Sequence, residues 1–222
     1  MKAIILAGGR GSRLYPLTTA FNKQLHALYN KPLFYYPLTT LIASGLEEIC
    51  IISDAQSLQF LSKYFLDGST LGISITYIEQ NEPRGVAESF ILAERFLNNS
   101  SSIMILGDNF FSGGNDISRA INKFTGGASI FAYRVEDARE YGVVMLDSDT
   151  NPIEIIEKPS ELGWQFAIPG AYIYDANVSY IAKNLAPSSR GELEISDINR
   201  AYLRAGSLTI NYLPRGFVWI DI

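Results

Sequence analysis

The chain has 222 residues, 47% of them hydrophobic and 18% charged, with a formal net charge of −5. This is a globular balance, long enough for one α/β core and free of the low-complexity composition that keeps a chain disordered. The longest apolar runs, such as 49–52 and 103–106, fall far short of the ~18 residues a membrane helix requires, and residues 1–6 pass straight into a glycine-rich loop, so neither a span nor a signal peptide is read.

The single cysteine, Cys50, rules out an intramolecular disulfide and reads as a small buried strand residue, which suits the cytoplasm. Charge is unevenly spread. The first 46 residues carry Lys2, Arg10, Arg13, Lys23 and Lys31 and no acid, leaving 13 basic and all 23 acidic residues to the remainder. A segment kept free of acid suits a compact polyanion such as a triphosphate, although five charges also cluster by chance; nucleic acid would call for a broader basic face.

In chain order, Ala3 to Ala7 is a continuous apolar run that predicts a strand buried on both faces, ending in Gly8-Gly-Arg-Gly-Ser-Arg-Leu14. A helix is predicted over Tyr35 to Ser44, stopped by Gly45, then a strand over Glu48 to Ser53. Helix over Gln56 to Leu66, strand over Ile73 to Glu79, helix over Val86 to Leu97, strand over Ser102 to Leu106 and helix over Asp116 to Phe124 continue the alternation. Such alternation implies right-handed crossovers and a predominantly parallel sheet covered by helices on both faces, with ligands beyond the carboxyl ends of the strands.

From Ala128 the texture becomes richer in β structure. Extended segments are expected over Ala128 to Val135, Gly142 to Leu146, Ile153 to Ile156 and Ala171 to Tyr174. Helices over Asn177 to Leu185 and Glu194 to Ala205 precede two last strands, Leu208 to Leu213 and Phe217 to Ile220. With no repeat and no linker in view, residues 1–222 are taken as one α/β domain whose halves are 1–127 and 128–222.

The glycine-rich loop is the strongest chemical signal: closely spaced glycines let backbone N–H groups approach a phosphate, and Arg10 and Arg13 add charge. It fits neither the Walker spacing nor the G-x-G-x-x-G dinucleotide fingerprint. Lys23, in Asn22-Lys-Gln24, is near enough to reach the same phosphates, and by itself reads equally as a solvated surface lysine. His26 is the only histidine, which excludes a multi-histidine metal site and makes a Ser-His-Asp hydrolase a poor fit. Asp108 and Asp221 each close an apolar run, so both can stand at the ligand edge of a sheet and share one Mg²⁺, which takes few protein carboxylates and completes its shell with phosphate and water oxygens; either can also simply cap a turn. Glu157-Lys158-Pro159, Tyr141-Gly142, Gly170 and Arg190-Gly-Glu192 offer hydroxyl- and phosphate-binding groups, each with an ordinary turn explanation.

Taken in order, Lys2-Ala-Ile-Ile-Leu-Ala-Gly-Gly-Arg-Gly-Ser-Arg-Leu14, Asn22-Lys-Gln24, Leu106-Gly-Asp-Asn109, Tyr141-Gly-Val-Val144, Glu157-Lys-Pro159, Arg190-Gly-Glu-Leu-Glu-Ile-Ser-Asp-Ile-Asn199 and Trp219-Ile-Asp221 resemble the glucose-1-phosphate thymidylyltransferases, among the sugar-1-phosphate nucleotidyltransferases, across the whole chain. The resemblance implies a Rossmann-like nucleotidyltransferase fold in which a sugar 1-phosphate attacks the α-phosphorus of a nucleoside triphosphate, dTTP and glucose 1-phosphate being the expected pair. It implies that Leu6, Gly8, Gly9, Gly11, Ser12 and Gln24 line the nucleotide, that Arg13 and Lys23 neutralise the triphosphate, and that Gln80 and Gly85 read the base. Asp108 and Asp221 are implied to hold Mg²⁺, and Val86, Leu106, Tyr141, Gly142, Glu157, Gly170 and Trp219 to shape a sugar pocket, with Lys158 and Arg190 on the sugar's phosphate.

Three features differ from the family pattern: Arg84 where a small or acidic residue is usual, Ala27 where proline is usual, and a stop at Ile222, read as a short form without the family's last helices and their regulatory site. The same chemistry with UTP, CTP or another sugar phosphate is the nearest alternative, and a nucleotide-binding regulatory protein the next. No nucleic-acid or membrane partner is expected, and the protein is expected to be a monomer or small homo-oligomer.

Overall fold

The computed structural model describes every residue except 10, 12, 13, 20, 21 and 161–165. Its first half runs β1 (Lys2–Leu6), a short hairpin of β2 (Ala27–Leu28) and β3 (Lys31–Pro32), α1 (Tyr35–Ala43), β4 (Glu48–Ser53), α2 (Ala55–Phe65), β5 (Ser74–Glu79), α3 (Glu88–Leu92), α4 (Glu94–Leu97), β6 (Ser102–Leu106), β7 (Asn109–Ser112) and α5 (Asp116–Lys123). The second runs β8 (Ala128–Arg134), β9 (Gly142–Leu146), β10 (Pro152–Glu157), β11 (Phe166–Ala167), β12 (Ala171–Tyr174), α6 (Val178–Lys183), α7 (Ile195–Arg204), β13 (Leu208–Tyr212) and β14 (Val218–Asp221).

Ten strands form one sheet in the order β10-β9-β11-β8-β12-β6-β1-β4-β5, with β13 also on β8. Pairing is parallel along β6, β1, β4 and β5 and between β8 and β13, whereas β12, β11 and β10 run against their neighbours. Strands β5, β4, β1, β6, β8, β13 and β9 therefore point the same way, and the sheet is mostly parallel, as the alternation of elements implies.

Burial explains the apolar runs. Along β1, Ala3 and Ile5 pack into one core cluster and Ile4 and Leu6 into the other, so both sets of alternate side chains are apolar. Helices α3, α6 and α7 cover one face through Phe90, Val178, Ala182 and Ile198, and α1, α2 and α5 cover the other through Leu38, Leu41, Leu61, Phe65 and Ile117. Cys50 sits in β4 with no exposed surface, and burial pushes its thiol up to about 12. Among the described residues no helix is long and apolar enough to cross a membrane.

Two stretches, 86–97 and 109–112, depart from the sequence expectation. Val86 and Ala87 stand before the helix, with Ala87 N–H donating to the Leu193 carbonyl at 3.1 Å; α3 starts at Glu88, and Ala93, at φ −82° and ψ 1°, separates it from α4. Residues 109–112, to which the sequence reading assigned no element, form β7, which pairs antiparallel with β14 in a separate two-stranded sheet. Asp221 thus closes a strand outside the large sheet, although its partner in register is Asn109, just beyond β6.

One irregularity makes room for the site. The stretch 166–174 lies antiparallel to β8 through β11 and then β12, but its other neighbour changes from β9 to β6. Between them Ile168 N–H donates to Gly142 O and Leu106 N–H to Gly170 O, both at 2.8 Å. The sheet forks there, and a cleft opens between the end of β6 and the start of β9.

Candidate active site

A cavity of about 380 Å³ occupies the fork. Gly11, Lys23, Val86, Leu106, Asp108, Tyr141, Gly142, Glu157, Lys158, Gly170, Arg190, Trp219 and Asp221 line it, so most of the candidates scattered through the sequence converge on one space. Leu6, Gly8, Gly9, Gln24, Gln80 and Gly85 lie outside that lining: Leu6, Gly8 and Gly9 at the end of β1, Gln24 in the turn Lys23–Leu25, Gln80 at the end of β5 and Gly85 against Leu193. Arg10, Ser12 and Arg13 lie outside the described residues.

At the wall next to the glycine loop, Lys23 opens a 3₁₀ turn, Lys23–Leu25, capped by the Asn22 side chain accepting from Gln24 N–H at 3.5 Å. Asn22 Nδ2 also donates to Ala7 O and to Asp54 Oδ2, each at 3.1 Å, tying the turn to the ends of β1 and β4. Asp54 in turn caps α2 by accepting from Ser57 N–H at 2.9 Å and from its hydroxyl at 2.6 Å. Burial works against the Asp54 carboxylate, but the hydrogen bonds from Ser57 and Asn22 hold its pKa below the ordinary value. Thus anchored, Lys23 Nζ reaches Asp108 Oδ2 at 2.6 Å and the Ile222 main-chain oxygen at 2.6 Å. Gln24 is buried, donates to Gly8 O at 3.3 Å and leaves its own Oε1 without a partner among the described residues, a spare acceptor beside the glycine loop.

Asn109, to which the sequence reading gave no role, organises the centre. Its Nδ2 donates to Asp108 Oδ1 at 2.9 Å and to Asp221 Oδ1 at 3.1 Å. Its Oδ1 accepts from Gly170 N–H at 3.0 Å and from Trp219 Nε1 at 2.6 Å. The amide's two donors and two acceptor positions are all used in a side chain only 1% exposed. One residue therefore holds both aspartates together and locks the tryptophan of the opposite wall. The signal for it was the motif Leu106-Gly-Asp-Asn109, but an asparagine after a strand reads as a turn former until its partners are known.

The wall that carries Glu157 and Arg190 is acidic. Trp219 packs against Tyr141, with ring centroids 4.9 Å apart, and edge-on to Tyr133. Glu157 Oε2 accepts from the Ser196 hydroxyl at 2.5 Å. Burial raises the Glu157 pKa and the charge of Glu194 adds to the rise, against the Ser196 hydrogen bond and the charges of Arg190 and Lys158. Arg190 makes a two-pronged contact with Glu194, Nε to Oε1 at 3.2 Å and Nη2 to Oε2 at 2.8 Å, with Glu157 and Glu192 each 3.6 Å from Nη2. Burial disfavours its charge, but these carboxylates prevail and hold the guanidinium pKa above its ordinary value. Tyr172, buried at the back, has its pKa raised by burial and then by the charges of Glu157, Asp221 and Asp108.

The loop after β5 and the loop before α7 are joined. Leu193 N–H donates to Arg84 O at 2.7 Å and Leu193 O accepts from Ala87 N–H at 3.1 Å. Gly85, at φ +103°, lies flat against this clasp: a Cβ there would stand 2.4 Å from the Leu193 carbonyl oxygen. Gly85, Gln80 and Arg190 are thereby parts of one bonded unit.

Among the described residues no cluster of three or more His, Cys, Asp or Glu side chains is placed to hold a metal. A closed all-protein metal cage is thus missing there. Two carboxylates touching one amide nitrogen instead suit a hard cation that takes its remaining oxygens from phosphate and water.

Comparison with known proteins agrees with this geometry. The nucleotidyl transferase family profile matches residues 2–222. A glucose-1-phosphate thymidylyltransferase of Neisseria gonorrhoeae is 44% identical over 224 residues, covering 100% of this chain and 77% of that protein. One from Mycolicibacterium smegmatis is 41% identical over 223 residues, covering 100% and 77%. A Bacillus anthracis structure with bound sucrose, provisionally assigned to the same activity, superposes with a TM-score of 0.91 at 39% identity, covering 100% of this chain and 89% of that one. A UDP-glucose pyrophosphorylase complexed with UDP-glucose shares the fold at a TM-score of 0.86 and 20% identity, over 99% of this chain and 92% of that one. The chain belongs to the nucleotidyl transferase family, in its glucose-1-phosphate thymidylyltransferase group.

Proposed function

We propose that the protein transfers a nucleotidyl group from dTTP to glucose 1-phosphate, releasing pyrophosphate and forming a nucleotide-sugar. The observation that carries this reading is the convergence of Lys23, Asp108 and Asp221 on one wall of a cavity whose other wall presents Glu157, Lys158 and Arg190. A phosphate oxygen of the sugar 1-phosphate bonds to the α-phosphorus while the bond from that phosphorus to the bridging oxygen of the pyrophosphate breaks. The phosphate is already an anionic nucleophile, so no proton needs to be removed, and alignment and charge neutralisation dominate.

In this reading Leu6, Gly8, Gly9, Gly11, Ser12 and Gln24 line the nucleotide, and Gln80 and Gly85 face its base. Lys23 and Arg13 offset charge on the triphosphate and the departing pyrophosphate. Lys158 and Arg190 hold the sugar's phosphate, Tyr141, Gly142, Gly170 and Trp219 enclose the ring with Val86 and Leu106, and the Glu157 carboxylate accepts from its hydroxyls. Asp108 and Asp221 would hold Mg²⁺, which supplies positive charge at the phosphates when bound. An acid-rich cavity that must admit two phosphorylated substrates needs such a counter-charge. Residues 1–127 then serve mainly the nucleotide and 128–222 mainly the sugar phosphate. A lone buried cysteine accords with a reducing cytoplasm.

Pyrophosphate release measured over dTTP, UTP and CTP against several sugar 1-phosphates, with Mg²⁺, tests the reading. Turnover is expected to be greatest with dTTP and glucose 1-phosphate. Absence of turnover with every pair would overturn it.

A further inference from the structure

Gln80 follows β5, and its buried side chain bridges two surroundings of opposite character. On one side Nε2 donates to Glu88 Oε2 at 2.8 Å. On the other, Oε1 lies against the glycine loop, 2.6 Å from where a Cβ on Gly8 would stand. An amide can present either end to a ligand unless a neighbour decides between them. Here the neighbour is a carboxylate, which only accepts, so it must take the N–H end of the amide and leave the carbonyl end facing Gly8.

Glu88 is itself held for this task. Its side chain is 13% exposed, Arg84 N–H donates to Oε2 at 3.3 Å, and the Arg84 Nε stands 3.8 Å from Oε1. The arginine that departs from the family pattern thus backs the carboxylate that orients Gln80.

We infer that Glu88 is a positioning residue for base selection, which makes Gln80 present an acceptor and so favours a base bearing a ring N–H, as in thymine and uracil, over one with a bare ring nitrogen there, as in cytosine. The inference rests on the proposed placement of the nucleotide base beside Gln80. An acceptor set against a cytosine ring nitrogen leaves two lone pairs facing each other, and such a mismatch in a partly buried site is felt as unpaired polar atoms. The methyl group of thymine plays no part, so dTTP and UTP are expected to behave alike towards Glu88.

Equilibrium binding of dTTP, UTP and CTP to the whole protein, measured by titration calorimetry for the unmodified chain, Glu88→Gln and Glu88→Asp, tests this apart from turnover. The unmodified protein is expected to prefer dTTP and UTP to CTP by about tenfold or more. Glu88→Gln has the same shape but can donate as well as accept, releases the amide to turn, and is expected to shrink that ratio by about tenfold. Glu88→Asp remains acceptor-only and is expected to keep more of the ratio than Glu88→Gln, with melting temperatures reporting that both fold. Failure of the unmodified protein to bind any triphosphate would remove the nucleotide-binding reading itself, and the inference with it. Binding of dTTP with a ratio that Glu88→Gln leaves unchanged, or a uniform weakening of all three nucleotides, would overturn the role of Glu88 alone.

Discussion

Lys23 Nζ stands 2.6 Å from Asp108 Oδ2, a pair that joins the turn after the glycine loop to the carboxyl end of β6. Each side chain is only 16% exposed, so neither charge is well solvated without the other. Lys23→Met is expected to lower stability by about 1–3 kcal/mol, because it leaves a poorly solvated carboxylate unpaired, and to reduce turnover by about a hundredfold or more. Asp108→Asn keeps the shape but leaves the Lys23 ammonium without its counter-charge, and is expected to cost turnover on a similar scale and stability by about 1–3 kcal/mol. Steady-state kinetics over a Mg²⁺ titration, beside thermal melts, checks both; full activity in Asp108→Asn would remove this carboxylate from the proposed metal site.

Asn109 ties together Asp108, Asp221, Gly170 and Trp219 with one fully used amide. Asn109→Ala leaves two buried donors without an acceptor, and a stability loss of about 2–4 kcal/mol is expected from urea titration. Asn109→Asp is expected to be worse for turnover than for stability, since it keeps an acceptor for Trp219 but sets a third carboxylate between the two aspartates. Equal turnover in the two variants would mean that the amide matters only for packing.

Gly85 has no room for a side chain. A Cβ would meet the Leu193 backbone at 2.4–2.6 Å in a conformation, φ +103°, that other residues rarely adopt. Gly85→Ala is expected to break the clasp between the loop after β5 and the loop before α7 and, on the proposed placement of the substrates, to weaken binding of both by about tenfold each. Separate dissociation constants for the triphosphate and the sugar phosphate would show it. Weakening of the triphosphate alone would mean that the clasp does not couple the loops.

Glu157 gives a pH test with a definite sign. Burial raises its pKa in the folded protein, so the folded chain keeps this proton to a higher pH than the unfolded chain does. Its contribution to stability is complete below the unfolded value and is lost as pH rises through the folded one. Glu157→Gln, which stays neutral, is expected to melt about 1–3 °C above the unmodified protein at neutral pH, the gap closing as the pH is brought down into the carboxylate range. Melting curves at several pH values check this, and a gap that widens on acidification would contradict the assigned cause.

Local chemistry made much of the fold legible. The continuous apolar runs of β1, β4 and β6 read as buried strands and 171–174 as an extended segment, and the structure places 48–53, 102–106 and 171–174 as strands. Helix α7 was legible for a related reason, since Ile195, Ile198 and Tyr202 recur on one buried face. Strand β7 was not, because Asn109 and Phe110 find their strand partners only in Asp221 and Ile220, more than a hundred positions away.

The candidate site divides along the same line. Sequence alone picked out the candidate side chains: the glycine loop, Lys23, the two aspartates and the Glu157-Lys158 and Arg190 segments are recognisable by residue type and order. Only the tertiary structure decided how those groups are paired. The fork of the sheet at 168–170 makes the cleft, Asn109 draws Asp221 from a separate sheet up to Asp108, and Glu88 settles which end of the Gln80 amide is presented. The physical reason is that residue type sets whether a polar group can donate or accept, whereas its orientation is set by partners that only folding brings within about 3 Å.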